Sequence, residues 1–174
     1  MSQLDIFSLE GRVALIPGGG GGIGSALAEA LAGAGARVAV AGRTVETCDA
    51  TVERIRAAGS DGLAITADVT DEADCDRMVA DTIERFGGID ILVNAVGGGA
   101  GKALHPAEDY PRSDWDWIME LNVRSTVLAT QSAARAMIAQ GRGGRILNIT
   151  SVRANLGINA GYTATWQPRG RSAR

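Results

Sequence analysis

At 174 residues, the chain is long enough to bury the core of one domain. Hydrophobic residues make up 45%, charged residues 21%, and the formal net charge is −3, a balance that argues against disorder and against nucleic acid as a partner. No apolar run reaches the roughly 18–20 residues of a membrane span, and Met1-Ser2-Gln3-Leu4-Asp5 lacks the basic-then-apolar order of a secretory signal, so a cytoplasmic protein with no membrane partner is expected.

Residues 1–11 read as a lead-in that ends in a turn at Gly11. Arg12–Pro17 is short and apolar, a strand. Five consecutive glycines follow, and beyond them Ile23, Leu27, Ala30, Leu31 and Ala34 recur at helical spacing, predicting a helix over Gly22–Ala34. Arg37–Ala41 is the second strand. The polar break Gly42-Arg43-Thr44 opens a helix over roughly Val45–Ala58, with Val45, Cys48, Val52 and Ile55 on one face and Gly59 at its C-cap. A short strand spans Leu63–Ala67. Thr70-Asp71-Glu72 starts the next helix with N-cap chemistry and an acidic first turn. That helix runs to about Phe86 and stops at Gly87-Gly88. Cys48 and Cys75 are the two cysteines; they form no metal-like cluster and read as inert helix thiols in a reducing compartment.

Ile89–Val93 is a strand apolar enough to be buried on both faces. The loop Gly97–Asp114, about 18 residues long, belongs to a length class usually tied to function or mobility. It holds the lone histidine, His105, which reads as a surface residue because no cysteine or acidic constellation accompanies it. A long helix is predicted over about Trp115–Gln140, with Trp115 and Trp117 as packing and surface residues, and a fifth strand over Arg145–Ile149. Strands alternating with helices imply right-handed crossovers: a doubly wound α/β domain with a mainly parallel sheet and its ligand at the carboxyl ends of the strands.

The glycine stretch carries the first chemical signal. A strand, a tight glycine turn and a helix form a phosphate cradle, because glycine lets the backbone turn sharply and approach a ligand. The new helix then offers free N–H groups and its positive dipole end to an anion. The stretch is not a Walker-type P-loop, since Ser25 stands where that motif needs lysine.

The spacing Gly18-x-x-x-Gly22-x-Gly24 resembles the cofactor loop of the short-chain dehydrogenase/reductase family. Further stretches arrive in the family's order. Asp68-Val69 resembles its adenine-side motif. Asn94-Ala95-Val96-Gly97 resembles its Asn-Asn-Ala-Gly motif with two substitutions. Trp115 followed by Asn122 resembles the helix carrying the family's asparagine. Gly144–Val152 resembles the strand that ends in the catalytic serine, here Ser151, and Tyr162 follows eleven residues later within the looser spacing for the catalytic tyrosine. The resemblance covers about residues 8–165. It implies a Rossmann-like fold, with Gly18, Gly22, Ile23, Gly24, Asp68, Val69 and Asn94 at a dinucleotide and Asn122, Ser151 and Tyr162 as catalytic residues. It also implies hydride transfer between a carbonyl and an alcohol on a small-molecule substrate, in a homo-oligomer. NAD sites usually place an acidic residue at the end of the second strand, whereas NADP sites prefer an arginine for the 2′-phosphate. Ala41-Gly42-Arg43-Thr44 therefore favours NADP through Arg43, with NAD as the alternative.

One position departs from the family pattern. The tyrosine is ordinarily followed four residues later by lysine, whose ammonium at about 4 Å would contribute on the order of 4 kcal/mol to ionising a phenol of ordinary pKa near 10. Here that position is Trp166. Residues 166–174 lack apolar helical periodicity and hold three Arg with a Trp, a Pro and a Gly, which suggests a domain over 1–165 with an atypical tail, a C-terminally truncated or frameshifted family member whose doubly wound sheet is incomplete at that end. The alternatives to an active oxidoreductase are then a dinucleotide-binding pseudoenzyme and a non-functional truncated product.

Overall fold

β1 (Val13–Pro17) is buried at all five positions and lies at the centre of a five-stranded sheet. The computed structural model describes residues 5–99 and 104–151; Lys102, Tyr162 and Trp166 lie outside them. The other strands are β2 (Arg37–Gly42), β3 (Gly62–Thr66), β4 (Ile91–Asn94) and β5 (Arg145–Asn148). Their order is β3-β2-β1-β4-β5, and every pair is parallel. β1 pairs with β2 on one side and β4 on the other, Leu15 standing opposite Ala39 and Leu92. The order reverses at β1, and the carboxyl end of a sheet at such a switch is where doubly wound folds open a crevice for ligands. The fold is Rossmann-like, as the alternation of elements predicts.

The helices are α1 (Gly22–Gly33), α2 (Val45–Ala57), α3 (Glu72–Phe86), α4 (Arg112–Met119) and α5 (Ser125–Ala139). Side chains alternate across β1, so the sheet divides two apolar layers. Ala14 and Ile16 pack with Ala28 and Ala32 of α1 and with Cys48, Val52 and Ile55 of α2. Val13 and Leu15 pack with Cys75, Met78 and Phe86 of α3 and with Ala129, Ala133 and Met137 of α5. At the amino ends of the strands the buried Asp90 accepts the Val13 N–H at 2.9 Å and sits between Arg12 and Arg142, at 3.6 and 3.1 Å. This ties β1, β4 and the segment before β5 together.

Several elements depart from expectation. The predicted apolar face of α1 is displaced: Gly24, Ser25, Ala28 and Ala32 are buried, while Ile23 is 64% exposed. Small residues let the helix approach the sheet closely, and the larger Leu27 and Leu31 pack at the margin. Val45 is exposed and Thr51 is buried on α2. Within the predicted Thr70-Asp71-Glu72 start, Asp71 is the residue that caps α3, accepting the Asp74 N–H at 3.0 Å. The single helix predicted over Trp115–Gln140 is three pieces. It begins earlier, at Arg112, and a π-helical turn over Glu120–Arg124 separates α4 from α5. The predicted loop also contains a 3₁₀ turn, Ala107–Asp109.

Two compact units emerge. The described residues 5–96 and 125–149 form the first, which contains the whole sheet, and 97–99, 104–124 and 150–151 belong to the second. Among the described residues no helix is long and apolar enough to cross a membrane, and no group of His, Cys, Asp and Glu could hold a metal ion.

Candidate functional site

The sharpest geometry in the first unit is the turn from β1 into α1. Gly18 has φ +80° and its N–H donates to Ala41 O at 2.7 Å. A methyl group there would stand 2.7 Å from the Ala95 carbonyl, so both the backbone angle and the space require glycine. A methyl at Gly24 would collide with the Gly18 carbonyl. Gly22 is different: nothing lies within 4 Å of where its Cβ would be. Gly21, Gly22 and Ile23 are exposed, Gly21 provides no side-chain cap, and the first turn of α1 carries no acidic residue. The protein itself therefore demands Gly18 and Gly24, whereas the space beside Gly22 opens outward from the amino end of a helix. This is the arrangement that admits a pyrophosphate to backbone N–H groups.

The other predicted cofactor residues follow β2 and β3 or close β4, in the same unit. Arg43 follows β2 directly, is exposed, and makes no ion pair among the described residues; Gly42 before it carries no carboxylate. Asp68 follows β3. Its Oδ1 accepts the Thr70 N–H at 3.0 Å and the Thr70 hydroxyl at 2.8 Å, so it shapes its own turn, and its N–H donates to Asp74 at 2.7 Å. That N–H, and then Arg77, hold the Asp74 carboxyl below the usual carboxylate range. The Val69 side chain is buried in the core. Asn94 closes β4 opposite Asn148 of β5. Its amide donates to the Thr130 hydroxyl at 3.0 Å and to Asn148 Oδ1 at 2.8 Å, linking two strands and α5.

The second unit is organised by Asn122, in the π-helical turn. Its side chain donates to Gly98 O at 3.1 Å and accepts the Gly98 N–H at 3.1 Å. It also donates to Ile118 O, one turn earlier, at 3.0 Å. The side chain thus fixes a glycine backbone and steadies its own widened turn. Ser151 is placed in this unit and is exposed. Tyr162 lies outside the described residues. His105 is not the unaccompanied residue that its sequence neighbourhood predicts: Nε2 lies 2.8 Å from Asp114 Oδ2, and its ring meets Tyr110 edge to face at 5.1 Å. Burial, and then Asp114, push the Tyr110 phenol up.

Sequence reasoning assigns no site role to Gly19 and Gly20 within the turn, to Thr51, which bonds to it, or to Thr130 and Asn148, which partner Asn94. Thr51 has a readable signal: it lies one helical step from Cys48, Val52 and Ile55 on the buried face.

A doubly wound parallel sheet with a glycine turn at its switch point and an open helix terminus beside it defines a Rossmann-like α/β architecture. A family model described as short chain dehydrogenase matches residues 12–165. The chain is 46% identical to the sorbitol dehydrogenase of Cereibacter sphaeroides over 143 residues, covering 82% of this chain and 54% of that protein. It is 43% identical to the gluconate 5-dehydrogenase of Gluconobacter oxydans over 170 residues, covering 95% and 64%. The crystal structure of a short-chain type dehydrogenase/reductase from Mycobacterium marinum superposes with a TM-score of 0.88 at 36% identity, covering 95% of this chain and 66% of that one. The chain belongs to the short-chain dehydrogenase/reductase family, whose members bind NAD(P) cofactors. It spans between about half and two-thirds of the length of these relatives.

Proposed function

We propose that this chain carries the cofactor-binding part of an NADP(H)-dependent oxidoreductase that interconverts a carbonyl and an alcohol on a small molecule. The observation that carries the reading is the turn at Gly18–Gly24, open at Gly22, with Arg43 exposed nearby in sequence order at the end of β2. The amino end of α1 would hold the pyrophosphate. Arg43 would pair with the 2′-phosphate, and Asp68-Val69 would meet the adenine. When bound, the nicotinamide supplies or accepts the hydride. In the family pattern Ser151 polarises the carbonyl, Tyr162 moves the proton and Asn122 supports a relay. The substrates named for the two relatives, sorbitol and gluconate, suggest a polyhydroxylated one. A cytoplasmic homo-oligomer fits the family.

Fluorescence titration with NADPH and NADH tests the cofactor assignment. A guanidinium–phosphate pair is a charge-assisted contact of about 1.5–3 kcal/mol, so Arg43→Ala should weaken NADPH about tenfold or more while leaving NADH nearly unchanged. Tighter binding of NADH by the unaltered protein would overturn the preference. Consumption of NADPH with polyhydroxy ketones, abolished by Tyr162→Phe, tests the chemistry.

A second reading, binding without turnover, is favoured by Trp166 at the position where the family has lysine. It expects a higher melting temperature with NADPH, no turnover, and a gain of turnover in Trp166→Lys. Turnover by the unaltered chain would end it.

A further inference from the structure

The family spacing accounts for glycine at 18, 22 and 24 and leaves 19 to 21 open, yet this chain has glycine there too. The packing of the turn explains two of the three. A methyl at Gly19 would stand 2.6 Å from the Val40 side chain of β2. One at Gly20 would stand 2.5 Å from Thr47 Oγ1 and 3.2 Å from the Cys48 nitrogen. The turn is therefore pressed from behind onto β2 and the first turn of α2, with its opposite side left to solvent.

Polar groups of α2 complete this backing. Thr51 is fully buried, and its hydroxyl reaches Gly19 O at 3.1 Å as well as Thr47 O, one turn earlier on its own helix, at 3.0 Å. A hydroxyl has one proton, so it alternates between holding the glycine turn and bonding back along α2. Arg54 donates to the same oxygen at 3.4 Å. Cys48, whose backbone nitrogen the Gly20 methyl would meet, is itself fully buried. A buried polar side chain placed on an apolar helix face costs stability unless it bonds, and the bond available across the fold is to the loop.

We propose that Thr51, with Thr47 and Cys48, forms a positioning clamp that holds the glycine turn in the form that leaves the amino end of α1 open at Gly22 and Ile23, so that α2 governs dinucleotide affinity without touching the dinucleotide. The proposal rests on the dinucleotide reading above. Because the clamp acts on the pyrophosphate cradle, it affects NADPH and NADH alike, unlike Arg43.

The test is calorimetric titration of NADPH and NADH against the unaltered chain, Thr51→Val, Thr51→Ser and Gly20→Ala, with melting temperature measured for each. Losing one neutral hydrogen bond should weaken both dinucleotides by the same factor of about five in Thr51→Val, and Thr51→Ser should restore binding to within about twofold. Gly20→Ala, which drives a methyl into Thr47, should weaken both further. If Thr51→Val lowers the melting temperature but binds as the unaltered chain does, Thr51 is only structural and the proposal falls while the dinucleotide reading stands. Loss confined to NADPH also overturns it. Should Thr51→Val fail to fold, unchanged binding by Gly20→Ala overturns the clamp and equal weakening of both dinucleotides supports it. If the unaltered chain binds neither dinucleotide, the parent reading fails and the clamp falls with it.

Discussion

Toward α1 and α2, β1 presents Ala14 and Ile16 to a layer of small residues, Ala28, Ala32 and Ala36, with Val38 and Val40 beside them. Toward α3 and α5 it presents Val13 and Leu15 to larger and softer side chains, Met78, Phe86 and Met137. The difference extends to how each layer is tied together. On the first side helices and backbone approach closely, and the glycine turn is shaped by what has no room to be there. On the second, side chains bridge elements: Ser132 of α5 donates to Asp76 of α3 at 2.6 Å, and Arg135 pairs with the same carboxylate at 2.6 Å. Each layer also holds one buried free cysteine in a different setting. Cys48 lies against the glycine turn, whereas the Cys75 thiol donates to Val69 O at 3.5 Å and has four aspartates near it. A layer built on close approach is vulnerable to an added methyl, and one built on ionisable bridges is vulnerable to pH.

The largest expected effect lies on the close-packed side. Gly18→Ala adds a methyl 2.7 Å from the Ala95 backbone and places a non-glycine residue at φ +80°. Left-handed strain and overpacking each cost about 1–3 kcal/mol, so chemical denaturation should show a loss of about 3 kcal/mol. Dinucleotide binding should disappear with it. Gly22→Ala, by contrast, meets open space and has an ordinary φ, so it should lose affinity with little loss of stability. Equal destabilisation by the two variants would erase the distinction between glycines required by the protein and a glycine required by its ligand.

Most of this close-packed layer was legible in the sequence because period-two and helical patterns both report burial against a sheet. β1, β2, α2 and the glycine turn fall within a residue or two of expectation. The misreadings have different causes. The burial of α1 follows Gly24, Ser25, Ala28 and Ala32, and a hydrophobicity pattern gives little weight to residues that matter by being small. The helix predicted over Trp115–Gln140 is interrupted because a π-helical turn inserts an extra residue per turn without changing composition. What holds that turn is the Asn122 amide, whose partner Gly98 is distant in sequence. The earlier start of α4 did have a signal, in Pro111 followed by Asp114 in the first turn. His105 and Asp114 meet through the fold of a loop, which periodicity does not describe.

A middle-sized effect should appear at alkaline pH and on the α3 side. Burial, and after it Asp76, Asp71, Asp74 and Asp68, push the Cys75 thiol up to about 11. In the unfolded chain the same thiol ionises near its ordinary value of 9.0. Between these values the unfolded state has released a proton that the native state retains, so stability falls as pH rises from about 9 to 11. One thiol accounts for on the order of 2 kcal/mol across that window. Cys75→Ala should remove this component of the slope while leaving the other titrating groups in place. Cys48→Ala should act in the same direction, since burial raises that thiol too, but Thr47 and Gly20 oppose the rise. A steeper alkaline loss in Cys75→Ala than in the unaltered chain would contradict the assignment.

The smallest effect lies at the acid end and again on the bridged side. The Ser132 hydroxyl, followed by Arg135, holds the Asp76 carboxyl below its ordinary range, and the Asp68 N–H does the same for Asp74. A depressed native pKa contributes stability that is present above the unfolded value, near 3.9, and is lost as pH falls through the native one. Both groups are substantially solvent-accessible, so screening limits each to under about 1 kcal/mol. Asp76→Asn should therefore cost little at pH 7, and its stability should converge on that of the unaltered chain as pH falls through the lowered native pKa. Convergence is the informative part: the side-chain amide of that variant keeps an oxygen able to accept from Ser132 and Arg135, so any difference that persists at low pH measures packing between α3 and α5 rather than charge. Stability curves that stay parallel from pH 7 to pH 3 would show that the bridge works as a neutral hydrogen bond. The contrast between a layer held by space and one held by charge would then narrow to Cys75 alone.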